Sequence, residues 1–305
     1  MEQHLLICHL RTARRRARTA AIAEALCLLH DLGAHELPGG PLSERGGVFW
    51  IGLPTGSLDV AVTRLARLGY TSAVDVAEPV VGDGGRQTLV RWRGQAYRLV
   101  RVYEEDAAAL REAAVDRRTF VLQTRDGETR EIRGYRGDSQ TLSRRGLPVY
   151  DARLLVNVVF RPELGTLLDP FAGAGGIVVE TVASGWRTLS ADIDPALRHG
   201  LARFGAAHWV GDARVLPLAT ASIDAIATEP PYDATADESV VAALKEAERV
   251  VTPGGRIALL CAEWQAAALR ASANELGLAA FLDTAIDRKG LPVVVLAWQK
   301  PAAFA

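Results

Sequence analysis

From Pro148 onward, short apolar segments alternate with segments of helical periodicity. The segments "GTLLD", "WRTLSAD", "AHWVG", "SIDAIAT" and "GRIALLCAE" are rich in apolar residues, whereas "GGIVVETVASG", "DESVVAALKEAERVV" and "WQAAALRASANELG" have the spacing of helices that bury one face. Near-continuous apolar strands between helices are typical of a parallel sheet that helices cover on both sides. The alternation therefore predicts a doubly wound, Rossmann-like α/β domain over residues 148–305.

The last two predicted strands differ from the others in their connection. Only the short turn "DRKGLP" separates "AAFLDTAI" from "VVVLAWQK". A parallel crossover needs a dozen or more residues, so these two strands must form an antiparallel hairpin. We therefore expect seven strands, of which the last is antiparallel to the rest.

The first part of the chain predicts a smaller α+β domain over residues 1–116. Strand-like "HLLICHL", "GGVFWIGLP" and "TSAVDVAEPV" alternate with helical "TAAIAEALCLLHDLG" and "LDVAVTRLARLG", and "QTLVRWRGQAYRLVRVY" indicates a further strand pair. Residues 117–147 form a basic connector with eight arginines and four acids. This connector is either a hairpin plus linker or an arm that lies along a phosphate backbone.

Charge is distributed unevenly along the chain, although the formal net charge is -1. Residues 1–150 contain 22 basic and 18 acidic side chains, and residues 151–305 contain 13 and 18. All 22 basic residues of the first half are arginine, whose planar fork suits phosphates and base stacking. The excess of arginine over acidic side chains in the first half favours a nucleic-acid partner, although a GC-rich genome would also enrich arginine over lysine.

Cysteine content and hydropathy indicate the compartment. Cys8, Cys27 and Cys261 are too few and too scattered for a disulfide framework or a zinc site, so we expect a reduced, cytoplasmic protein without a bound metal. The basic "RTARRRAR" and the apolar segment after it imitate a secretory signal, but Glu24 interrupts that segment and no cleavage site follows. No segment has the length of a membrane span.

A glycine-rich turn joins the first strand of the α/β domain to its first long helix. In "LLDPFAGAGGIVVE", Asp169 ends the strand, and Gly173 and Gly175 allow a tight turn and the close approach of a ligand. Such a turn alone is weak evidence, because it equally suits a dinucleotide.

The next three strands also end in polar elements. "LSADIDP" places Asp192 and Asp194 about 20 residues after the turn, where a ribose would be held. "VGDARVLPL" places Asp212 to accept a hydrogen bond from an adenine amine, with Ala213 beside the ring. The fourth strand ends in "EPPY", residues 229–232. In an open α/β sheet, ligands bind at the carboxyl ends of the strands, and these elements therefore predict one cleft.

These motifs resemble the S-adenosylmethionine-dependent methyltransferases that methylate amines, which carry Asp-Pro-Phe-x-Gly-x-Gly followed by Asp/Asn/Ser-Pro-Pro-Tyr. More narrowly, "GLPVYDARLLVNVV", "LLDPFAGAGG" and "DAIATEPPY" resemble the family that methylates the exocyclic N2 of guanosine 10 in tRNA. The resemblance covers residues 148–300. It implies an N-terminal ferredoxin-like and THUMP-like module that binds tRNA or another structured RNA, and it leaves open whether a small activator subunit is needed.

The resemblance also implies a role for each motif residue in binding S-adenosylmethionine. The methionine end of the cofactor would be held by Asp169, Phe171, Gly173 and Gly175. Asp192 and Asp194 would hold its ribose, and Asp212 and Ala213 its adenine.

The "EPPY" element would hold the target amine. An aromatic amine is a poor nucleophile, because its lone pair is delocalised into the ring, and acceptors aimed at its two N–H bonds favour the reactive pyramidal form. We expect these acceptors to be the Glu229 side chain and the Pro230 carbonyl. Pro230 and Pro231 fix the backbone and remove competing donors, and Tyr232 would stack on the base.

Position 229 departs from the pattern of the family, where Asp, Asn or Ser is found. Glutamate moves the carboxylate outward by roughly 1.5 Å, one bond length. This departure leaves open a catalytically silent protein that binds the cofactor or RNA. A DNA adenine N6-methyltransferase, which would use the same four-residue element, also stays open, although no separate DNA target-recognition domain is evident. A nicotinamide dehydrogenase is disfavoured, because "EPPY" has no role there and no histidine or lysine partner is evident.

Overall fold

The chain divides into two compact units, Met1–Ala107 and Ala108–Ala305. The computed structural model describes residues 3–11, 17–43, 47–80, 89–105, 119–123, 129–133, 147–197, 206–233, 237–288 and 291–302. The predicted boundary at residue 116 lies outside these ranges. The division into 1–116, 117–147 and 148–305 therefore stays a prediction.

The first unit is built around an antiparallel sheet of six strands in the order β2-β3-β1-β4-β6-β5. Its elements are β1 (Gln3–Leu10), α1 (Arg18–Leu29), β2 (His35–Glu36), β3 (Val48–Pro54), α2 (Leu58–Leu65), β4 (Thr71–Pro79), β5 (Leu89–Trp92) and β6 (Gln95–Glu104). The chain order βαββαβ with the spatial order β2-β3-β1-β4 is a ferredoxin-like arrangement. The β5–β6 hairpin extends it beside β4.

Glu24 is the residue that interrupts the apolar segment of α1, and it is fully buried. Its carboxylate accepts hydrogen bonds from the backbone N–H groups of Gly69 (2.6 Å) and Tyr70 (3.1 Å). A buried charge needs such partners, and here they fix the segment between α2 and β4. Glu24, whose presence disfavours a signal peptide, thus stabilises the fold of this unit.

Within the basic connector, β7 (Thr119–Gln123) and β8 (Thr129–Arg133) form an antiparallel two-stranded hairpin. This favours the hairpin interpretation over an extended arm for these two segments. The rest of the connector up to residue 146 lies outside the described residues.

The second unit contains a sheet of seven strands in the order β11-β10-β9-β12-β13-β15-β14. Its elements are α3 (Val149–Val158), β9 (Thr166–Asp169), α4 (Gly176–Ala183), β10 (Arg187–Asp192), β11 (Ala207–Val210), β12 (Ile223–Thr228), α5 (Asp237–Val250), β13 (Val251–Ala262), α6 (Glu263–Glu275), β14 (Ala279–Arg288) and β15 (Leu291–Gln299). Only β15 runs against its neighbours β13 and β14. The predicted Rossmann-like sheet with an antiparallel last strand is confirmed.

The central strands of this sheet are buried because both faces are apolar. On one face, Leu168 of β9, Ile226 of β12, Ile257 of β13 and Trp298 of β15 are neighbours across the strands, belong to one core cluster and are at most 3% exposed. On the other face, Leu167, Ala258 and Ala297 are fully buried. Between β10 and β11, the segment "PALRHGLARFG" predicts a helix. Only its start is described, where Pro195–Leu197 forms a 3-10 turn.

The β14–β15 hairpin extends past the end of its neighbour in the sheet. The last residue of β13, Ala262, is opposite Val293 of β15, and Val293 is opposite Ile286 of β14. The pairing continues to Arg288 and Leu291, two residues beyond this level on each strand. Because β14 is parallel to β13, this hairpin tip lies at the carboxyl edge of the sheet, together with the ends of β9, β10 and β12.

None of the described helices has the length and apolarity needed to cross a bilayer.

Candidate functional site

The glycine-rich turn after β9 is held open by two left-handed backbone positions. Gly173 has φ of +49° and Gly175 has φ of +80°, conformations that residues with a Cβ adopt at a cost. A Cβ at Gly173 would meet only the carbonyl oxygen of Phe171, at 3.8 Å. The turn therefore has open space beside its backbone, as a bound ligand requires, and α4 begins directly after Gly175.

Asp169 is the most strongly perturbed carboxylate of the turn. It is 1% exposed, and its Oδ1 accepts hydrogen bonds from the Thr228 hydroxyl (2.7 Å) and the Phe171 N–H (3.3 Å). Burial raises the pKa of Asp169 from 3.8 to about 7, with smaller contributions from the negative charges of Asp192 and Glu229. The bond from Thr228, the residue directly before Glu229, places the end of β12 beside Asp169.

Asp192 joins the second strand to the glycine-rich turn. Its Oδ2 accepts a hydrogen bond from the N–H of Gly173 (2.7 Å), and its Oδ1 accepts one from the N–H of Asp194 (2.9 Å). Each carboxylate oxygen has a second lone pair, so these bonds leave acceptor capacity for a ribose hydroxyl. The structure thus brings Asp192 to the predicted cleft, and ribose binding by Asp192 and Asp194 stays a prediction.

Asp212 is paired with a residue that the motif reading did not include. Both of its oxygens accept hydrogen bonds from the guanidinium of Arg214, at 2.5 to 3.0 Å. The bonds and charge of Arg214 lower the pKa of Asp212 below 3.8. An adenine amine would therefore share this carboxylate with Arg214. Ala213, next along the chain, is 5% exposed.

Two exposed apolar side chains follow the strands that carry the predicted ribose and adenine residues. Ile193 follows β10 and is 68% exposed, and Val215 follows β11 and is 75% exposed. Such side chains suit the faces of a purine ring. Together with the open turn at Gly173, they fit the adenosine and methionine ends of S-adenosylmethionine.

The "EPPY" element directly follows β12, the strand beside β9. Oε1 of Glu229 accepts hydrogen bonds from the Tyr232 hydroxyl (2.5 Å) and from Nη1 of Arg288. Arg288 Nη1 also donates to the Tyr232 hydroxyl oxygen at 3.1 Å. The Tyr232 ring, which was expected to stack on a base, is thus held by its hydroxyl, and stacking by Tyr232 stays a prediction.

The two prolines of this element are held differently. The carbonyl oxygen of Pro231 accepts a hydrogen bond from Nε2 of Gln265 (3.0 Å), and Oε1 of Gln265 accepts one from the N–H of Ala262 (3.1 Å). Gln265 is 2% exposed and belongs to α6. It therefore fixes the loop after β12 to the end of β13. Pro230 is buried.

A second carboxylate completes the group around Arg288. Oδ2 of Asp151, in the first turn of α3, lies 3.4 Å from Arg288 Nε, and the Asp151 side chain is fully buried. We call Asp151, Glu229, Tyr232 and Arg288 the Arg288 cluster. Its members come from α3, the loop after β12 and the end of β14.

Burial and charge act against each other in the Arg288 cluster. Burial raises the pKa of Glu229, and the positive charge of Arg288 opposes that rise. Burial, followed by the charge of Glu229, also raises the pKa of Tyr232 above its usual range. Burial alone would lower the pKa of Arg288, but Glu229, Tyr232 and Asp151 raise it, so the guanidinium stays charged.

Motif reading missed four residues of the site: Asp151, Thr228, Gln265 and Arg288. Asp151 lies within the quoted "GLPVYDARLL" and Arg288 within the turn "DRKG", but neither has a local signal for the cleft. Arg288 is 59 residues from Glu229. Within the described ranges, no group of three or more His, Cys, Asp or Glu side chains is placed to hold a metal ion.

Comparison with known families decides the class of this site. Residues 168–259, which include the glycine-rich turn, Asp192, Asp212 and the "EPPY" element, match the family model described as "Methyltransferase domain". These residues are a methyltransferase domain. S-adenosylmethionine is its cofactor, and this prediction is confirmed.

Similar proteins agree with this class. A tRNA (guanine(10)-N2)-dimethyltransferase of Methanothermobacter thermautotrophicus is 38% identical over 92 residues, which are 28% of this chain and 27% of that enzyme. The matched part thus spans about a quarter of the length of this relative. The suspected resemblance to S-adenosylmethionine-dependent tRNA methyltransferases is confirmed, whereas a THUMP module is not shown.

One of the similar solved structures, TrmN, shares the fold. TrmN from Thermus thermophilus has a TM-score of 0.52 and 15% identity over 97% of this chain and 100% of that chain. An S-adenosylmethionine-dependent methyltransferase from Methanosarcina mazei has a TM-score of 0.41 and 15% identity over 49% of this chain and 98% of that chain.

Proposed function

We propose that this methyltransferase acts on the exocyclic amine of a nucleobase in RNA, namely N2 of guanine in tRNA. The observation that carries the proposal is the position of Glu229. Its carboxylate follows β12, which pairs with β9, and the preceding residue, Thr228, bonds to Asp169 at the start of the glycine-rich turn. An acceptor for an amine and the cofactor turn therefore share one neighbourhood.

The hydrogen bonds of Glu229 leave one of its oxygens for the substrate. Tyr232 and Arg288 both bond to Oε1, and no described residue donates a hydrogen bond to Oε2. Oε2 would accept one N–H of the amine, and the Pro230 carbonyl would accept the other. S-adenosylmethionine supplies an electrophilic methyl group. The two acceptors hold the amine so that its lone pair faces that group, and positioning of this kind supplies much of the rate.

A carboxylate at position 229 favours guanine over adenine. An ionised carboxylate only accepts hydrogen bonds. On the Watson–Crick edge of guanine, the N2 amine lies beside the N1–H donor, whereas the N6 amine of adenine lies beside the N1 acceptor. A carboxylate close to the amine therefore attracts the neighbouring group in guanine and repels it in adenine. This is why we rank methylation of adenine N6 below methylation of guanine N2.

tRNA as the substrate rests on the archaeal relative, whose name states that it acts on guanine N2 in tRNA, and on the arginines of the first unit. Arg91 and Arg93 lie at the exposed end of the β5–β6 hairpin. The guanidinium of Arg93 lies 4.6 Å from the centroid of the Trp92 ring, which packs on Trp50 at 5.1 Å. In the part of the chain that the structure describes, neither arginine makes an ion pair, so both are available for phosphates or bases.

The proposed reaction is tested with the purified chain, labelled S-adenosylmethionine and unmodified tRNA, followed by mass spectrometry of the nucleosides. We expect N2-methylguanosine in the tRNA and no product from duplex DNA. N6-methyladenine in DNA, with unmodified tRNA, would favour the DNA reading instead. Cofactor binding by calorimetry without product on either substrate would favour the catalytically silent protein.

Charge reversal of the hairpin arginines tests the RNA-binding role. We expect Arg91→Glu with Arg93→Glu to weaken tRNA binding about 10-fold or more. The slope of log K against log salt should become shallower by about 1 to 2, because a protein with fewer phosphate contacts releases fewer counterions on binding. The matched control is Arg187→Glu with Lys245→Glu, which changes the net charge equally at β10 and α5. An equal loss of affinity in both double variants would contradict a specific contact.

A further inference from the structure

The Arg288 cluster holds the Glu229 carboxylate by one of its two oxygens. The guanidinium of Arg288 and the hydroxyl of Tyr232 both meet Oε1 of Glu229, while Oε2 has no donor among the described residues. Nε of Arg288 meets Asp151, whose side chain is fully buried. Arg288 is thus fixed at one end by α3 and fixes Glu229 with the other.

The longer side chain at position 229 needs such support. A glutamate has one more rotatable bond than an aspartate, so an unsupported carboxylate at its end occupies more positions. Two charge-assisted or short hydrogen bonds to one oxygen remove that freedom and direct the other oxygen. The support comes from the hairpin tip that extends past the end of β13.

We infer that Arg288 is a positioning residue of this methyltransferase: it holds Oε1 of Glu229 so that Oε2 faces the substrate amine. The inference rests on the proposed function and deepens it. It also accounts for glutamate at a position where the resembling family has shorter side chains.

The charges that face Glu229 give Arg288 an electrostatic effect as well, because its positive charge opposes the rise in the pKa of Glu229 that burial causes. Tyr232 comes from the same loop, Arg288 from β14, Asp151 from α3 and Asp169 from the end of β9. Arg288 is the one positive group among these four. Without it, burial and the carboxylates of Asp151 and Asp169 would raise the pKa of Glu229 further, and a protonated Glu229 would lose acceptor capacity.

The test compares Arg288→Gln, Arg288→Lys and Arg270→Gln in the tRNA methylation assay across pH. Arg270 of α6 bonds to Asp283 of β14 through two nitrogens, so Arg270→Gln removes a similar ion pair away from the cleft. We expect Arg288→Gln to lower kcat about 100-fold with little change in KM for S-adenosylmethionine, and to move the acid limb of the pH profile up by about 1 unit or more. Arg288→Lys should restore the acid limb, because the charge remains, but only part of kcat.

The inference would be overturned by an unchanged acid limb in Arg288→Gln, or by an equal loss of kcat in Arg270→Gln. A uniform loss of kcat and cofactor binding in Arg288→Gln would also overturn it, because that pattern indicates a general structural role.

A measurement without turnover separates this inference from the proposed function. Thermal unfolding of Arg288→Gln, Glu229→Gln and the double variant at pH 8 forms a double-mutant cycle. We expect Arg288→Gln to lower Tm and the double variant to recover part of that loss, because Glu229→Gln removes the unpaired charge. If tRNA is not methylated but the cycle shows this coupling, the proposed substrate fails and the Arg288 contact stands. Additive changes in Tm would overturn the contact itself.

Discussion

Replacement of Glu229 by aspartate is expected to lower kcat about 100-fold, although aspartate is one of the residues found at this position in the resembling family. The shorter side chain withdraws the carboxylate by roughly 1.5 Å from Tyr232, Arg288 and the amine. A displacement on the order of 1 Å at a reacting group costs about 10²-fold in rate. The contacts of Oε1 indicate that this loop is built around the longer side chain.

The measurement is single-turnover methylation of tRNA at saturating S-adenosylmethionine, which isolates the chemical step. Glu246→Asp is the control, because Glu246 of α5 also accepts hydrogen bonds from an arginine, Arg249, and its exchange should leave kcat unchanged. A higher kcat in Glu229→Asp would show that glutamate is a handicap and that the Arg288 contacts restrain an acceptor that works better without them.

Asp169→Asn is expected to raise Tm at pH 8 by about 5 °C or more, with no gain near pH 4. The pKa of Asp169 is about 7 in the folded protein and 3.8 in the unfolded chain. Between these values the folded state binds more protons, so its stability falls as pH rises, by about 1.4 kcal/mol per pH unit at most. Above pH 7 the full cost, on the order of 4 kcal/mol, is present. Asparagine has no such cost, and its oxygen accepts from Thr228 and Phe171 as before.

The same exchange should weaken binding of S-adenosylmethionine, measured by calorimetry, about 10-fold or more. Asp169 is expected to hold the positively charged methionine end, and a neutral amide loses that attraction. Asp169 would then destabilise the free protein while contributing to ligand binding, which is a common trade-off between stability and activity. Asp283→Asn is the control, because Arg270 lowers the pKa of Asp283 and its exchange should not raise Tm at pH 8. A lower Tm of Asp169→Asn at pH 8 would contradict the expected charge cost.

Much of the cleft was predictable because its determinants are local in sequence. The end of β9, the glycine-rich turn, Asp192 and the "EPPY" element are each a few residues long and follow apolar strands, and parallel strands bring their carboxyl ends to one edge. The reversed last strand was predictable from the length of one turn. In the first unit, the ferredoxin-like order of β1 to β4 agrees with the alternation of strands and helices that the sequence predicts.

The partners of these residues were not predictable from the sequence. Arg288 meets Glu229 only because the end of β14 lies at the carboxyl edge of the sheet and the β14–β15 hairpin extends past the last residue of β13. This depends on strand register rather than on any motif. Asp151 meets Arg288 only because α3 packs beside them. The pairing of Asp212 with Arg214, two residues away, was within reach of the sequence, but the motif reading assigned that carboxylate to adenine alone.

Because the β14–β15 hairpin extends past the end of β13, its length can change the position of Arg288 independently of the cofactor site. Insertion or deletion of two residues in the hairpin would move the guanidinium of Arg288 by roughly 7 Å along the strand on the same face, without any change in the cofactor turn or in the prolines after β12. Surface hairpins tolerate such changes well. Selection for a different base therefore has a place to act that leaves the methyl donor and the core of the sheet untouched.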